Sequence, residues 1–251
     1  MLRIRIANTY VHMTQFISHV HAEFRRARLT RRGSTQQAEH VPTGVHKTYD
    51  RMEIVQLPAA EKLDISLQSV LQSRTSYFGG SADGALTVGQ WGTLLGLALG
   101  KKSESKRRNY PSGGALYPIE TYIITRLGGD SFAALHYNPT KHALEKLWNL
   151  PDTFDIKQLV RNPEDLFFLS LVIFTSCWRR SSAKYGDFTY TPALLEAGHM
   201  SENVLLVTTA LGLPSRPMAA FNDEKIIELL DLDPDYEQPV HTVVISTHDT
   251  R

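Results

Sequence analysis

The segment Tyr110-Pro111-Ser112-Gly113-Gly114-Ala115-Leu116-Tyr117-Pro118-Ile119-Glu120 runs without a break into the strand-like stretch Thr121 to Thr125. A turn built of small residues therefore delivers the chain straight into a buried strand. Gly113 and Gly114 carry no Cβ, so a flat ligand can lie against this backbone and take hydrogen bonds from its N–H groups. Ser112 adds a hydroxyl. Pro118 stands at the strand entrance, where a missing N–H donor is tolerated. Taken alone, Ser-Gly-Gly is first of all a tight turn opening a strand, and that needs no ligand.

Apolar residues make up 42% of the chain and charged residues 21%, the balance of a soluble globular protein with a sizeable core. The length of 251 residues suits one large domain, or one domain with an extension. The net charge of +1 hides an uneven distribution. Residues 1–51 hold 9 Lys/Arg against 3 Asp/Glu, or +6, which leaves 18 against 23, or −5, for the rest. A basic arm on a mildly acidic body can meet nucleic acid, an acidic peptide or solvent, and solvent is the default. The expected division is a basic helical arm and connector over 1–50 and a globular domain over 51–251. No nucleic-acid or membrane partner is expected. The longest apolar run, Leu166 to Trp178, is too short to span a bilayer. No secretory h-region is visible at the N-terminus, so the expected location is cytoplasmic. The single cysteine, Cys177, lies in that apolar run and reads as a buried small residue.

Apolar spacing predicts a helix within 11–29, an irregular connector over 30–50, a short extended piece at Ile54–Leu57 and a helix over Thr87–Leu99. Strands are expected at Leu116–Arg126, Phe132–Tyr137, Ala143–Trp148, Phe167–Ser176 and Val240–Ser246. A short helix is expected at Asp152–Leu159 and another over 222–231. The clearest helix follows Thr191 as N-cap and Pro192 at its first position, and stops at Gly212. The pattern is α+β, a mixed or antiparallel central sheet flanked by helices.

Several residue groups can carry chemistry. Lys184-Tyr185 follows the buried strand across the polar stretch Arg179 to Ala183, and pairs an amine with a phenol. An exposed lysine beside a half-buried tyrosine needs no catalytic role. Burial against an apolar ligand face would lower the lysine pKa toward neutrality and make it a base. Glu196, His199 and Asn203 have the spacing to share a face of the long helix. Half of a dimetal carboxylate site would look like this, but the second Glu-x-x-His is missing, so structural hydrogen bonds are the expectation and no metal is assigned. In Ser73-Arg74-Thr75-Ser76 a guanidinium fork and nearby hydroxyls supply what a phosphate needs. No Walker loop, G-x-G-x-x-G, G-x-S-x-G or H-E-x-x-H is present.

Four blocks together resemble the FMN-dependent nitroreductase fold, and within it the azoline dehydrogenases of microcin- and streptolysin-type peptides. They are Ser73–Ser76, Arg108–Glu120, Lys184 with Tyr185, and Leu194–Leu213 leading into Ala219-Ala220-Phe221. The match includes Leu-Leu-Glu-Ala-Gly-His at Leu194–His199 and Asn203 a turn later. It departs where one arginine, Arg74, stands for several, and where Ala219 and Ala220 replace a glycine. The resemblance implies a domain-sharing homodimer with FMN at the subunit interface. It implies that Pro111, Ser112, Gly113, Gly114, Arg74, Thr75, Ser76, Asn203 and Arg216 contact the cofactor, and that Lys184 and Tyr185 are the catalytic pair. The implied reaction is two-electron oxidation of thiazoline or oxazoline rings in a precursor peptide, downstream of a cyclodehydratase in a synthetase complex. A base removes the proton at the former Cα, and a hydride leaves the former Cβ. The alternatives are a general FMN-dependent NAD(P)H nitro- or quinone reductase, and a non-catalytic adaptor of a peptide-modifying complex.

Overall fold

A computed structural model describes residues 19–23, 25–26, 46–77, 84–102, 105, 107–127, 131–161 and 168–247. Within the helix expected over 11–29, His19–Glu23, Arg25 and Arg26 are helical. The remainder of that helix, residues 30–45, the turn Gly128-Gly129-Asp130, and Leu166 with Phe167 lie outside the described residues.

Seven strands make one sheet: β1 Glu53–Gln56, β2 Ile119–Arg126, β3 Phe132–Asn138, β4 Ala143–Asn149, β5 Ser170–Cys177, β6 Ser215–Met218 and β7 Glu237–Ile245. Their spatial order is β1-β4-β3-β2-β5-β7-β6, and every pairing is antiparallel. Helices α1 Leu67–Ser73, α2 Val88–Leu99, α3 Arg179–Tyr185, α4 Tyr190–Ala210 and α5 Asp223–Leu230 complete the described fold.

The strand pleat sends alternate residues to opposite faces. Ile119 and Ile123 of β2 join Trp91, Leu94 and Leu95 of α2 and Met200 and Val204 of α4 in one core. Tyr122 and Ile124 join Phe168, Phe221 and Ile226 in the other, beneath α5. β2 and β3 are buried on both faces, which explains their nearly continuous apolar sequence. Each fully buried Trp, Leu or Ile contributes about 1.5–3 kcal/mol of transfer free energy. Thr87 starts α2 with a capping box. Its hydroxyl accepts from the Gln90 N–H at 3.1 Å, and the Gln90 side chain accepts from the Thr87 N–H at 2.9 Å.

Several elements differ from expectation. β2 starts at Ile119 rather than Leu116, because Ala115 and Tyr117 adopt left-handed backbone angles that no strand admits. Asp152–Leu159 forms only a 3-10 turn at Ile156–Leu159, capped by Asp155. Arg179–Ala183 is helix, not turn. Residues 179–210 are an almost unbroken helical stretch with a 3-10 segment at Gly186–Thr189, so Thr191 lies inside α4 and caps nothing. β6 was not anticipated, since it is short and carries Pro217. It lies at the sheet edge, where proline is tolerated. Finally, Glu196 is buried while His199 is exposed.

Candidate active site

Ser112 to Tyr117 form a compact turn. The Ala115 N–H reaches the Ser112 carbonyl at 3.1 Å, and the Tyr117 N–H reaches Ser112 Oγ at 2.9 Å. Gly114 has φ +65°, and Ala115 and Tyr117 follow at +55° and +50°. A left-handed angle costs a non-glycine residue about 1–2 kcal/mol, so neighbours must hold this turn in place. They are present. Tyr117 Oη accepts from the Arg108 N–H at 3.0 Å, and the Arg108 guanidinium lies 4.6 Å from the Tyr117 ring centroid. Arg180 Nη1 donates to the Tyr117 carbonyl at 3.1 Å. Pro111 is exposed at the mouth of the turn.

The two residues expected to act as a pair arrive here from far along the chain. Lys184 and Tyr185 end α3, which Gly186 terminates with φ +54°. A Cβ on Gly114 would stand 2.7 Å from both Lys184 Nζ and Tyr185 Oη. On Gly113 it would stand 3.5 Å from Pro192 Cβ and 3.7 Å from Tyr185 Oη. The glycines are therefore what lets an amine and a phenol approach this backbone. Lys184 is exposed and Tyr185 half-buried.

Beneath the turn lies Glu196, which the sequence marked only for a helical stripe. It is 2% exposed, and one carboxyl oxygen has no partner among the described residues. Burial pushes its carboxyl up to about 7, against hydrogen bonds from Ser112 and the Ile119 N–H and the charges of Arg108 and Arg180. A proton can thus reside directly under Ser112 near neutral pH. Cys177 is half-buried at the end of β5, and burial pushes its thiol up to about 12.

The phosphate-type turn lies elsewhere. The Tyr77 N–H donates to the Ser215 carbonyl at 3.3 Å, which brings Arg74, Thr75 and Ser76 beside the strand that carries Arg216. Ser215 Oγ in turn meets Thr208 Oγ1 of α4 at 2.6 Å. The glycine turn meets α4 near its start, at Pro192 and Glu196, and the strand beside the cation turn meets it near its end, at Thr208. Asn203 lies between. Its amide donates to the carbonyls of Ala98 at 3.0 Å and Asn109 at 3.3 Å, which ties α4 to the end of α2 and to the approach of the glycine turn.

Residues 85–246 match the nitroreductase family. A Methanocaldococcus jannaschii protein named as a nitroreductase, MJ1384, is 29% identical over 185 residues, covering 73% of this chain and 91% of its own. The microcin B17-processing protein McbC of Escherichia coli is 31% identical over 137 residues, 51% of this chain and 50% of McbC. The trifolitoxin-processing protein TfxB of Rhizobium leguminosarum is 26% identical over 153 residues, 58% of this chain and 41% of TfxB. The chain thus spans half or less of these two processing proteins. A Ralstonia eutropha structure described as a nitroreductase superposes with TM-score 0.67 at 22% identity, covering 79% of this chain and 90% of its own. A chain of the E. coli microcin synthetase McbBCD complex, solved with truncated pro-MccB17 bound, superposes with TM-score 0.61 at 23% identity, covering 86% and 85%. Matched over most of its length and in fold, the chain belongs to the nitroreductase family.

Proposed function

We propose that this protein is an FMN-dependent dehydrogenase that oxidises thiazoline or oxazoline rings of a ribosomally made precursor peptide to thiazoles or oxazoles. The observation that carries the reading is the meeting of Lys184 Nζ and Tyr185 Oη over Gly114. Nitroarene reduction takes up protons that solvent can supply, and does not require a base on the glycine wall. Dehydrogenation of an azoline does, because a carbon-bound proton must leave. The similarity to McbC and TfxB supports a peptide substrate, and the likeness to a chain of the McbBCD complex supports work beside a cyclodehydratase.

The residues suit FMN on two counts. Gly113 and Gly114 put no side chain in the way of a flat ring, and a Cβ at Gly114 would meet the catalytic pair. Arg74, Thr75 and Ser76, with Arg216 alongside, supply the cation and hydroxyls that a phosphate requires. When bound, FMN accepts the hydride. Lys184 and Tyr185 hold and move the proton from the former Cα. Ser112 keeps the turn closed through the Tyr117 N–H.

A homodimer completes this site. In this reading the glycine wall and the cation turn stand toward different ends of α4, and the cation turn of one copy serves the glycine wall of its partner. Leu195 is 60% exposed on α4, and Leu67 is 68% and Leu71 55% exposed on α1, which packs against α4; these are the apolar residues such a contact buries.

The similarity to MJ1384, which reaches 91% of that protein's length, favours a second reading, a general NAD(P)H-dependent nitro- or quinone reductase. Incubation of purified protein with an azoline peptide, and separately with NADPH and a nitroarene, tests both. Loss of 2 Da per ring supports the first reading. Nitroarene reduction without any azole supports the second.

A further inference from the structure

Helix α3, which carries Lys184 and Tyr185, has only seven residues and no side-chain cap at its start. A helix this short does not hold itself in place, so its tethers decide where it stands. The Arg179 guanidinium lies 3.8 Å from the Tyr236 ring centroid, and Ser181 bonds Thr189. Arg180 is the tether that reaches the glycine turn. Its Nη1 donates to the Tyr117 carbonyl, and its Nη2 is bound to Glu120 Oε1 at the start of β2. Arg180 and Lys184 are four residues apart and so lie on neighbouring turns of one face.

Glu120 is itself held from three sides. Oε1 also accepts the Lys47 N–H at 2.6 Å, and Oε2 meets His136 Nε2 at 3.0 Å. His136 Nδ1 meets Glu145 Oε2 at 2.9 Å, so both ring nitrogens face carboxylates, an arrangement that favours the protonated ring. Glu145 Oε2 also accepts the Tyr49 N–H at 3.1 Å. Lys47 Nζ lies 2.5 Å from Glu237 Oε2. Three carboxylates thus face Lys47, His136 and Arg180, with Lys141 3.6 Å from Glu145 at the rim. The end of the basic connector, residues 46–49, is built into this cluster rather than standing off from the fold. A carboxylate so fully held is a fixed post for the arginine that steers α3.

We propose that Arg180 is a positioning residue for the Lys184–Tyr185 pair, held against the glycine turn by Glu120. The inference rests on the reading that this pair moves the proton. Misplacing a reacting group by about 1 Å can cost about 10²-fold. Arg180→Gln is therefore expected to slow azole formation about 10- to 100-fold in kcat with little change in KM. In a Lys184→Ala/Tyr185→Phe background the same substitution should cost nothing further, because neither the amine nor the phenol is left to position. Arg180→Lys should restore part of the rate. In the unliganded protein, Arg180→Gln should speed hydrogen exchange over residues 179–189.

Should the uncompensated Glu120 prevent folding, the neutral double variant Glu120→Gln/Arg180→Gln is the test, with the same loss expected. Wild-type kcat in Arg180→Gln, an additive loss in the Lys184→Ala/Tyr185→Phe background, or unchanged exchange over 179–189 would overturn the inference. Full activity of Lys184→Ala/Tyr185→Phe itself would overturn the functional reading instead, so the two failures are distinguishable.

Discussion

Gly114 and Lys184 meet so closely that a single methyl group on the glycine would stand 2.7 Å from the lysine Nζ. Tyr185 Oη lies at the same distance from that point. Gly114→Val should therefore fail twice. The left-handed backbone angle costs about 1–2 kcal/mol, and the side chain displaces both groups. We expect a drop in melting temperature of at least ~2–4 °C per kcal/mol lost, with loss of flavin absorbance. Retention of bound flavin and of wild-type thermal stability would contradict this account of the turn.

Glu196 predicts a neutral-pH signature. Burial raises its carboxyl from an ordinary 4.5 to about 7 in the folded chain. The folded state therefore binds the proton more tightly than the unfolded one. This stability is fully present below pH about 4.5 and is lost as pH rises through about 7, to the extent of about 3 kcal/mol. His136, also raised, changes stability in the same direction, so the measurement is a difference. Denaturant unfolding of wild type and Glu196→Gln should diverge between pH 5 and 8, with the variant gaining relative to wild type. Parallel curves would remove Glu196 as the titrating group.

Glu120 predicts the opposite slope at acid pH. Burial alone would raise its carboxyl, but the hydrogen bond and charge of His136, the Arg180 charge and the Lys47 N–H hold it at about 2. Its contribution is present above pH about 4.5 and is lost as pH falls toward 2. The stability gap between wild type and Glu120→Gln should be widest above pH 4.5, at about 3 kcal/mol, and should close on acidification. A gap that does not change with pH would contradict the charged cluster.

Much of this was legible in the chain. Thr87 announced the start of α2, and the glycine turn announced both the entry to β2 and the family. The meeting of Lys184 with Gly114 was visible only through the resemblance, because no local pattern reports contact between residues so far apart. Glu120 and Arg180 escaped notice for the same reason. Each is an ordinary charged residue in sequence, and only the sheet register and the short helix α3 bring them together. Thr191-Pro192 misled because a Thr-Pro start is a sound local signal that a preceding 3-10 turn overrode. β6 carried no signal strong enough to set against Pro217.

The proposed homodimer predicts that one exposed leucine matters to the cofactor. Leu195→Glu places a charge on the apolar face of α4 and should yield a monomer by light scattering. That monomer should lose flavin, since each site needs the partner's cation turn. A Leu195→Glu monomer that stays yellow would show that one chain holds FMN by itself.

The central claim is that Lys184 and Tyr185 carry out the proton step of azoline oxidation. Its most direct test is mass spectrometry of an azoline peptide treated with wild type, Lys184→Ala and Tyr185→Phe, each first shown to be folded and flavin-loaded. We predict loss of two hydrogens per ring with wild type, and rates about 10²–10⁴-fold lower with each variant. Undiminished azole formation by both variants, or none by flavin-loaded wild type, would contradict the account.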